Sequence, residues 1–248
     1  MHFELILYVI AGAAAGGFVN GLAGFGTALM SLGIWLQAMP SEQAVPIVAA
    51  MSVISGVQSV WLTRHTLSKG IKRLPRFLIP ALIGLPIGTM ALSIIDPSVI
   101  KLTIAGLMLL YSVFFTFKTR LPKFERDYPA ADATVGLASG LLAGAASLSG
   151  VLPTMWCALQ PWSKHEVSAL LRPFNVIVLG IATAVYAFKG YFTWDTLVMM
   201  AIALPSTIIA TQVGIALFKR LTDNQFKNLL VCMMVLSAVS LIIRELVF

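Results

Sequence analysis

The first apolar run of this chain, Leu5–Gln43, contains one charged residue, Glu42. As a straight helix rising 1.5 Å per residue it would measure roughly 55–60 Å. The hydrocarbon layer of a bilayer is about 30 Å thick. A segment of this length must therefore tilt steeply, break or turn back. Seven more uncharged or nearly uncharged runs follow: Ala44–Thr63, Phe77–Ile95, Leu102–Phe117, Ala133–Ser163, Pro173–Phe188, Thr196–Phe218 and Asn228–Ile243. With 58% hydrophobic and 11% charged residues, the chain lacks the roughly 25% charge that covers a water-soluble surface. The reading is an all-α, polytopic integral membrane protein with about eight hydrophobic segments and no room for a soluble domain.

Gly17, Asn20, Gly21, Gly24 and Gly26 lie inside GGFVNGLAGFGTAL, and Gly140, Gly144, Ser147 and Ser149 inside SGLLAGAASLSGVL. An offset of 123 residues superposes Gly17 on Gly140, Gly21 on Gly144, Gly24 on Ser147 and Gly26 on Ser149. After a drift of two or three residues, Pro80 meets Pro205, Gly88 meets Gly214 and Lys101 meets Lys227. The linker Lys118–Asp132 divides two homologous repeats, 1–131 and 132–248, which together form one transmembrane domain. Each repeat reads as a glycine-rich segment, broken at Gly21–Gly26 or at Ser147–Gly150, followed by three ordinary helices. Missing side chains weaken a helix at those points. A break at membrane depth is tolerated only against protein or a water-filled cavity. Internal duplication of this kind is a trace of secondary transporters.

Two topologies follow. If each glycine-rich segment crosses once, there are eight spans and parallel repeats, with eleven basic loop residues inside. If each is re-entrant, the repeats are inverted and both termini are outside. The loops 64–76 and 118–126, Lys164 and the stretch 219–227 then place thirteen of the seventeen Lys and Arg residues inside. The positive-inside rule favours the inverted scheme by that narrow difference. The start, MHFELILYVIAGAAAGG, lacks a basic n-region and runs on past any Ala-x-Ala site, so it reads as mature protein. The formal charge of +7 is accounted for by orientation in the membrane, and no nucleic-acid partner is implied.

The runs GGFVNGLAGFGTAL, PSEQAVPIVAAMSVISGVQSVWLTRH and LIPALIGLPIGTMAL together resemble the sulfite exporter TauE/SafE family of membrane transporters, also known as the 4-toluene sulfonate uptake permease family. The resemblance covers essentially the whole chain, including the duplication, the basic loop after the second hydrophobic segment and the spacing Pro80–Gly88. It implies a multi-pass protein of the bacterial cytoplasmic (inner) membrane that moves sulfite, sulfonates or related sulfur-containing anions, generally outward. The chain departs from the family pattern where the second motif ends Ser-Gly-Pro-Pro, for here it reads Ser149-Gly150-Val151-Leu152-Pro153. A second departure surrounds Ser31–Gly33.

An anion needs hydrogen-bond donors and positive potential, which backbone N–H groups freed at a helix break supply. The expected substrate-binding residues are Asn20, Gly21, Gly24, Phe25, Gly26 and Thr27 at the first break. Gly144, Ser147, Ser149 and Gly150 are their counterparts at the second. The alternative for the glycines is close helix packing. Arg172, in LLRPFNVIV, offers a planar fork to two oxygens of a sulfo group, or snorkels to headgroups. Asn175 lies nearby and falls on Ser52 in the repeat alignment. Gln58, Gln160 and Gln212 read as interhelical glue. Glu42 and His165 occupy equivalent repeat positions and are the candidates for proton coupling. Trp61, Trp162, Tyr191, Trp194 and Tyr128 suit aromatic belts.

Cys157 and Cys232 have no CxxC partner, so neither a metal site nor a disulfide is expected, and no cofactor is implied. No clustered His, Cys or carboxylate group at membrane depth suggests an enzyme, and no Walker A sequence is present. The function expected is secondary export by alternating access. A passive anion channel and a non-transport assembly subunit are the alternatives. The particular anion, the direction of transport, the coupling ion and homo-oligomerisation stay open.

Overall fold

A computed structural model describes residues 3–63, 71–92, 94, 96–117, 128–162, 164–218, 220–221, 225, 232 and 235. Among these there is no strand, as expected where lipid cannot satisfy backbone groups and each segment must bond to itself. The helices are α1 Phe3–Ala23, α2 Thr27–Trp35, α3 Ser41–Thr63, α4 Leu74–Ala91, α5 Pro97–Phe117, α6 Pro129–Ala146, α7 Val151–Ala158, α8 Lys164–Phe188 and α9 Trp194–Phe218. One 3₁₀ turn, Ile71–Arg73, leads into α4. Five helices (α1, α3, α4, α8 and α9) are long and apolar enough to cross a membrane, and α5 adds a shorter apolar stretch, Ser98–Phe114.

The eight expected runs do not map one to one onto these helices. Leu5–Gln43 divides into α1, α2 and the start of α3, and Ala133–Ser163 into most of α6 and α7. Apart from residues 232 and 235, the run 228–243 lies outside the described residues, as do the loops 64–70 and 118–127 and Lys227. Because Pro129 stands in the first turn, where its missing N–H costs nothing, α6 begins before the 131/132 boundary.

The first apolar run turns back on itself. Ser31 Oγ donates to Gly12 O at 2.8 Å, and Trp35 Nε1 donates to Tyr8 O at 3.0 Å. Thr27 lies against Gly16. These pairings run in opposite directions along the two helices, so α2 packs antiparallel on α1. Gly12 makes room for the indole, since a Cβ there would sit 2.2 Å from Trp35 Nε1. In the second hairpin Trp156 Nε1 donates to Asp132 Oδ1 at 2.7 Å, which returns the end of α7 to the start of α6.

The long helices interlock across the chain. A Cβ at Gly17 or Gly21 would lie 2.6 or 2.2 Å from the carbonyls of Thr207 and Thr211, and one at Gly214 would lie 2.2 Å from Phe18 O. So α1 and α9 run parallel with backbones almost touching. The same seam joins α4 to α6: Gly84 and Gly88 face the Leu137 and Leu141 carbonyls, while Gly136, Gly140 and Gly144 face those of Phe77, Ala81 and Leu85. Small residues let helices approach this closely in lipid. Opposite its seam, α4 exposes Ile79, Ile83, Ile87 and Met90 at helical spacing, a face suited to acyl chains.

Contacts at the helix ends fix direction. Arg76 pairs with Asp132 at 3.8 Å, and the Arg73 guanidinium lies 4.3 Å from the Trp162 ring centroid. The starts of α4, α6 and α8 therefore share one end of the bundle. At the other end Lys189 Nζ donates to Thr89 O at 2.9 Å. A short turn through Gly190, at φ 80°, then sends α9 back. Since α1 is parallel to α9 and α6 to α4, the two hairpins enter from opposite ends.

Candidate functional site

Both hairpins bend at the glycine and serine clusters. Gly24 and Gly26 adopt φ 80° and 93°, a left-handed conformation that glycine enters without a Cβ clash. At the second break Ser147 has φ 58°, and its N–H donates to Ala143 O at 2.8 Å, an αL-type end to α6. A serine there is held by its side chain: Ser147 Oγ donates to Val45 O of α3 at 2.9 Å. Tyr186 Oη donates to Gly144 O at 2.6 Å and so satisfies a carbonyl that α6 leaves open at its end.

The two breaks meet around a small cavity of about 10 Å³, room for about one water molecule. Its wall comprises Phe25, Gly26, Thr27, Ala28 and Leu29 from the first break, Ser147, Leu148, Gly150 and Val151 from the second, and Ser52, Asn175 and Leu179 from α3 and α8. Contact between the breaks is direct, since a Cβ at Gly150 would lie 2.6 Å from Phe25 Cβ.

The cavity is rich in donors. α2 and α7 begin at its wall, and their first intrahelical bonds are Met30 N to Gly26 O and Thr154 N to Gly150 O. The N–H groups of Thr27, Ala28 and Leu29, and of Val151 and Leu152, precede those bonds. Two helix N-termini thus turn their positive ends toward one space. Neither Gly26 nor Gly150 supplies a side-chain cap. Asn175 adds an oriented amide: Ser149 Oγ donates to its Oδ1, leaving Nδ2 without a partner among the described residues.

Of the residues expected to bind substrate, the cavity wall gathers Phe25, Gly26, Thr27, Ser147, Gly150 and Asn175, with Ser149 behind Asn175. Gly21 and Gly144 face the helix seams, where their lack of a side chain serves packing. Asn20 stands behind Thr27, its Nδ2 donating to Thr27 Oγ1 at 2.8 Å and to Ser55 Oγ at 2.6 Å. Gly24 covers the stem of Arg172, whose Cγ would lie 2.6 Å from a Cβ at that position.

Arg172 sits one helical turn before Asn175 and is 1% exposed. Its Nε donates to Ser168 Oγ at 2.6 Å, its Nη1 reaches Ser59 O at 3.5 Å, and its guanidinium lies 5.9 Å from the Phe218 ring centroid. Among the described residues no carboxylate pairs with it. Such a buried cation without a counter-ion is costly to hold, so the arrangement favours an anion nearby.

Glu42 and His165 are not brought to the cavity. Glu42 is exposed in the first turn of α3, and position 165 lies in the first turn of α8. The two helices are antiparallel, since Gly56 meets Val176 and Ser59 meets Arg172, so the two positions occupy opposite ends. Gln212 is exposed, whereas Gln160 is buried. Cys157 is buried and Cys232 exposed, both free. Ser52 and Ser55 were not among the expected site residues. The only trace of Ser52 in the sequence is its alignment with Asn175.

A family model described as "Sulfite exporter TauE/SafE" matches residues 8–241. No curated protein and no solved structure matches the chain.

Proposed function

The chain belongs to the sulfite exporter TauE/SafE family of multi-pass membrane transporters, and from that premise we propose that it exports a small sulfur-containing oxyanion, sulfite or a short sulfonate, bound in the cavity between the two helix breaks. The observation that carries the proposal is the convergence of two helix N-termini and the Asn175 amide on one buried space. These are neutral donors that stabilise negative charge without holding it as a full ion pair would. An exporter needs that balance, because its substrate must also leave.

Arg172 lies between this space and the bundle end that bears Arg73 and Arg76. Its role in this reading is to draw the anion from the basic end, which the positive-inside rule assigns to the cytoplasm. The two hairpins are the first segments of inverted repeats, one entering from each side of the bacterial inner membrane. Rocking of one repeat against the other would open the cavity alternately to the two sides. Among the described residues the α1–α9 seam contains no salt bridge that must break, whereas the α4–α6 seam carries the Arg76–Asp132 pair at its end.

The test is uptake by liposomes and thermal stabilisation of the purified protein, with sulfite, thiosulfate, sulfoacetate, taurine, sulfate and simple carboxylates compared. Sulfite or a sulfonate should raise the melting temperature and be transported, and Asn175→Ala should weaken both effects. If every sulfur anion leaves the protein unaffected while a carboxylate is carried, the substrate assignment is wrong.

A further inference from the structure

Asn20 faces a group of oxygens that its amide matches only in part. Thr27 Oγ1 at 2.8 Å, Ser55 Oγ at 2.6 Å and Ser52 O at 3.5 Å all accept from its Nδ2, so three acceptors converge on a nitrogen with two hydrogens. Asn20 is 0% exposed, yet among the described residues its Oδ1 has no partner. Ser52 Oγ is also buried and unpartnered, and Ser52 lines the anion cavity. A buried acceptor is rarely left this way.

We propose that this cluster binds a monovalent metal cation, sodium by its size and preference for hard oxygen ligands. Turning the Asn20 amide about its last torsion, which is broad and roughly two-fold, brings Oδ1 to where Nδ2 lies. Since the other oxygens converge on the place Oδ1 would take, the Asn20 side chain must also draw back to admit an ion. Asn20 Oδ1, Thr27 Oγ1, Ser55 Oγ and Ser52 O would then surround it, with Ser52 Oγ on the same residue as a fifth ligand. In the arrangement described here the amide N–H pair supplies the positive charge those oxygens accept.

The donors are neutral. Calcium and magnesium sites depend on carboxylates, and no group of three or more His, Cys, Asp or Glu side chains among the described residues is placed to hold a metal. The location fits a cation for a second reason. Helix α1 ends at Ala23, so its final carbonyls turn a partial negative charge toward this region. Broken-helix transporters use such ends for sodium. Thr27 is both a ligand in this cluster and the first residue of α2, so an occupied site would fix the first break beside the anion cavity.

The experiment is thermal unfolding of the purified full chain in sodium, potassium, lithium or choline chloride at equal ionic strength, with no sulfur anion present. Sodium should raise the melting temperature progressively with the logarithm of its concentration, by roughly 5–10 °C at about 100-fold over its dissociation constant. Asn20→Ala and Thr27→Val should each abolish the rise. If Asn20→Ala does not fold, Thr27→Val and Ser55→Ala decide the matter. Equal melting in all four salts, or a sodium response that survives in Thr27→Val, overturns the site. A sulfite-dependent shift measured in choline chloride reports on the anion cavity alone, so the two proposals can fail separately.

Discussion

Ser149 donates its hydroxyl hydrogen to Asn175 Oδ1, and this one bond decides which end of the Asn175 amide faces the cavity. With the oxygen engaged, the nitrogen is presented as a donor. Asn175→Asp puts a second acceptor where an anion requires a donor, and should abolish binding of any sulfur oxyanion. Asn175→Ala removes one hydrogen bond to a charged ligand, worth about 1.5–3 kcal/mol, so affinity should fall roughly 10- to 100-fold. Titration by thermal shift or uptake kinetics measures both. Binding that improves in Asn175→Asp would show that the cavity selects cations.

Arg172 is buried without a carboxylate among the described residues. Replacing it with methionine, of similar length and no charge, removes a desolvation cost, so Arg172→Met should melt at the same temperature as the parent or higher in the absence of anion. Transport should fall by about tenfold or more, since among the described residues no other charged side chain lies so near the cavity. A variant that is less stable and fully active would mean that Arg172 is structural.

The seam glycines and the unconstrained ones give a direct contrast. Gly140 has the Ala81 carbonyl where a Cβ would fall, at 2.0 Å, whereas Gly106 has nothing within 4 Å. Gly140→Ala should cost about 1–3 kcal/mol through forced separation of α4 and α6. That corresponds to a melting temperature lower by roughly 2–10 °C. Gly106→Ala should leave it unchanged or slightly raised, because alanine favours a helix interior by about 0.5–1 kcal/mol. Equal effects at the two positions would contradict the packing described.

Direction across the membrane can be read from single cysteines in a background without Cys157 and Cys232. Glu4→Cys and Trp194→Cys, at the parallel starts of α1 and α9, should react with an impermeant reagent from one side of the membrane. Tyr128→Cys, at the start of α6, should react from the other. Labelling of all three from the same side would sink the opposed hairpins.

Ser147 tests why the second break uses a serine where the first uses glycine. Its backbone is left-handed, which costs a non-glycine residue roughly 1–2 kcal/mol, and its hydroxyl holds Val45 O. Ser147→Gly relieves the strain and loses the tie, so the melting temperature should move by no more than about 4 °C. Ser147→Val keeps the strain, adds branching and loses the bond to Val45 O, and should be clearly destabilised. Differential scanning fluorimetry separates the two.

Apolar run length and glycine spacing were enough to set the membrane class and the two break points, while the family rested on the resemblance of three motif runs to its known members. A 39-residue run cannot cross a bilayer once as a straight helix, and the residues that permit a break are visible in the chain. The roles of individual glycines were not visible. Gly21 and Gly26 stand five residues apart in one motif, yet Gly21 packs against α9 and Gly26 lines the cavity. Helical phase and the position of a partner helix from the other half of the chain decide between those roles, and neither is local. For the same reason Ser52 and Ser55 passed unnoticed: isolated serines in an apolar helix read alike until a neighbour such as Asn20 gives one of them a partner.

The sequence by itself determined where the backbone must bend, because local flexibility and run length are properties of the chain read in order. Only the tertiary structure decided that the two bends meet, that Arg172 lies buried behind one of them, and that the Asn175 amide points inward. Those relations depend on contacts between residues 26 to 148 positions apart, such as Ser149 with Asn175 and Gly24 with Arg172. They form only when helix packing brings distant segments of the chain together.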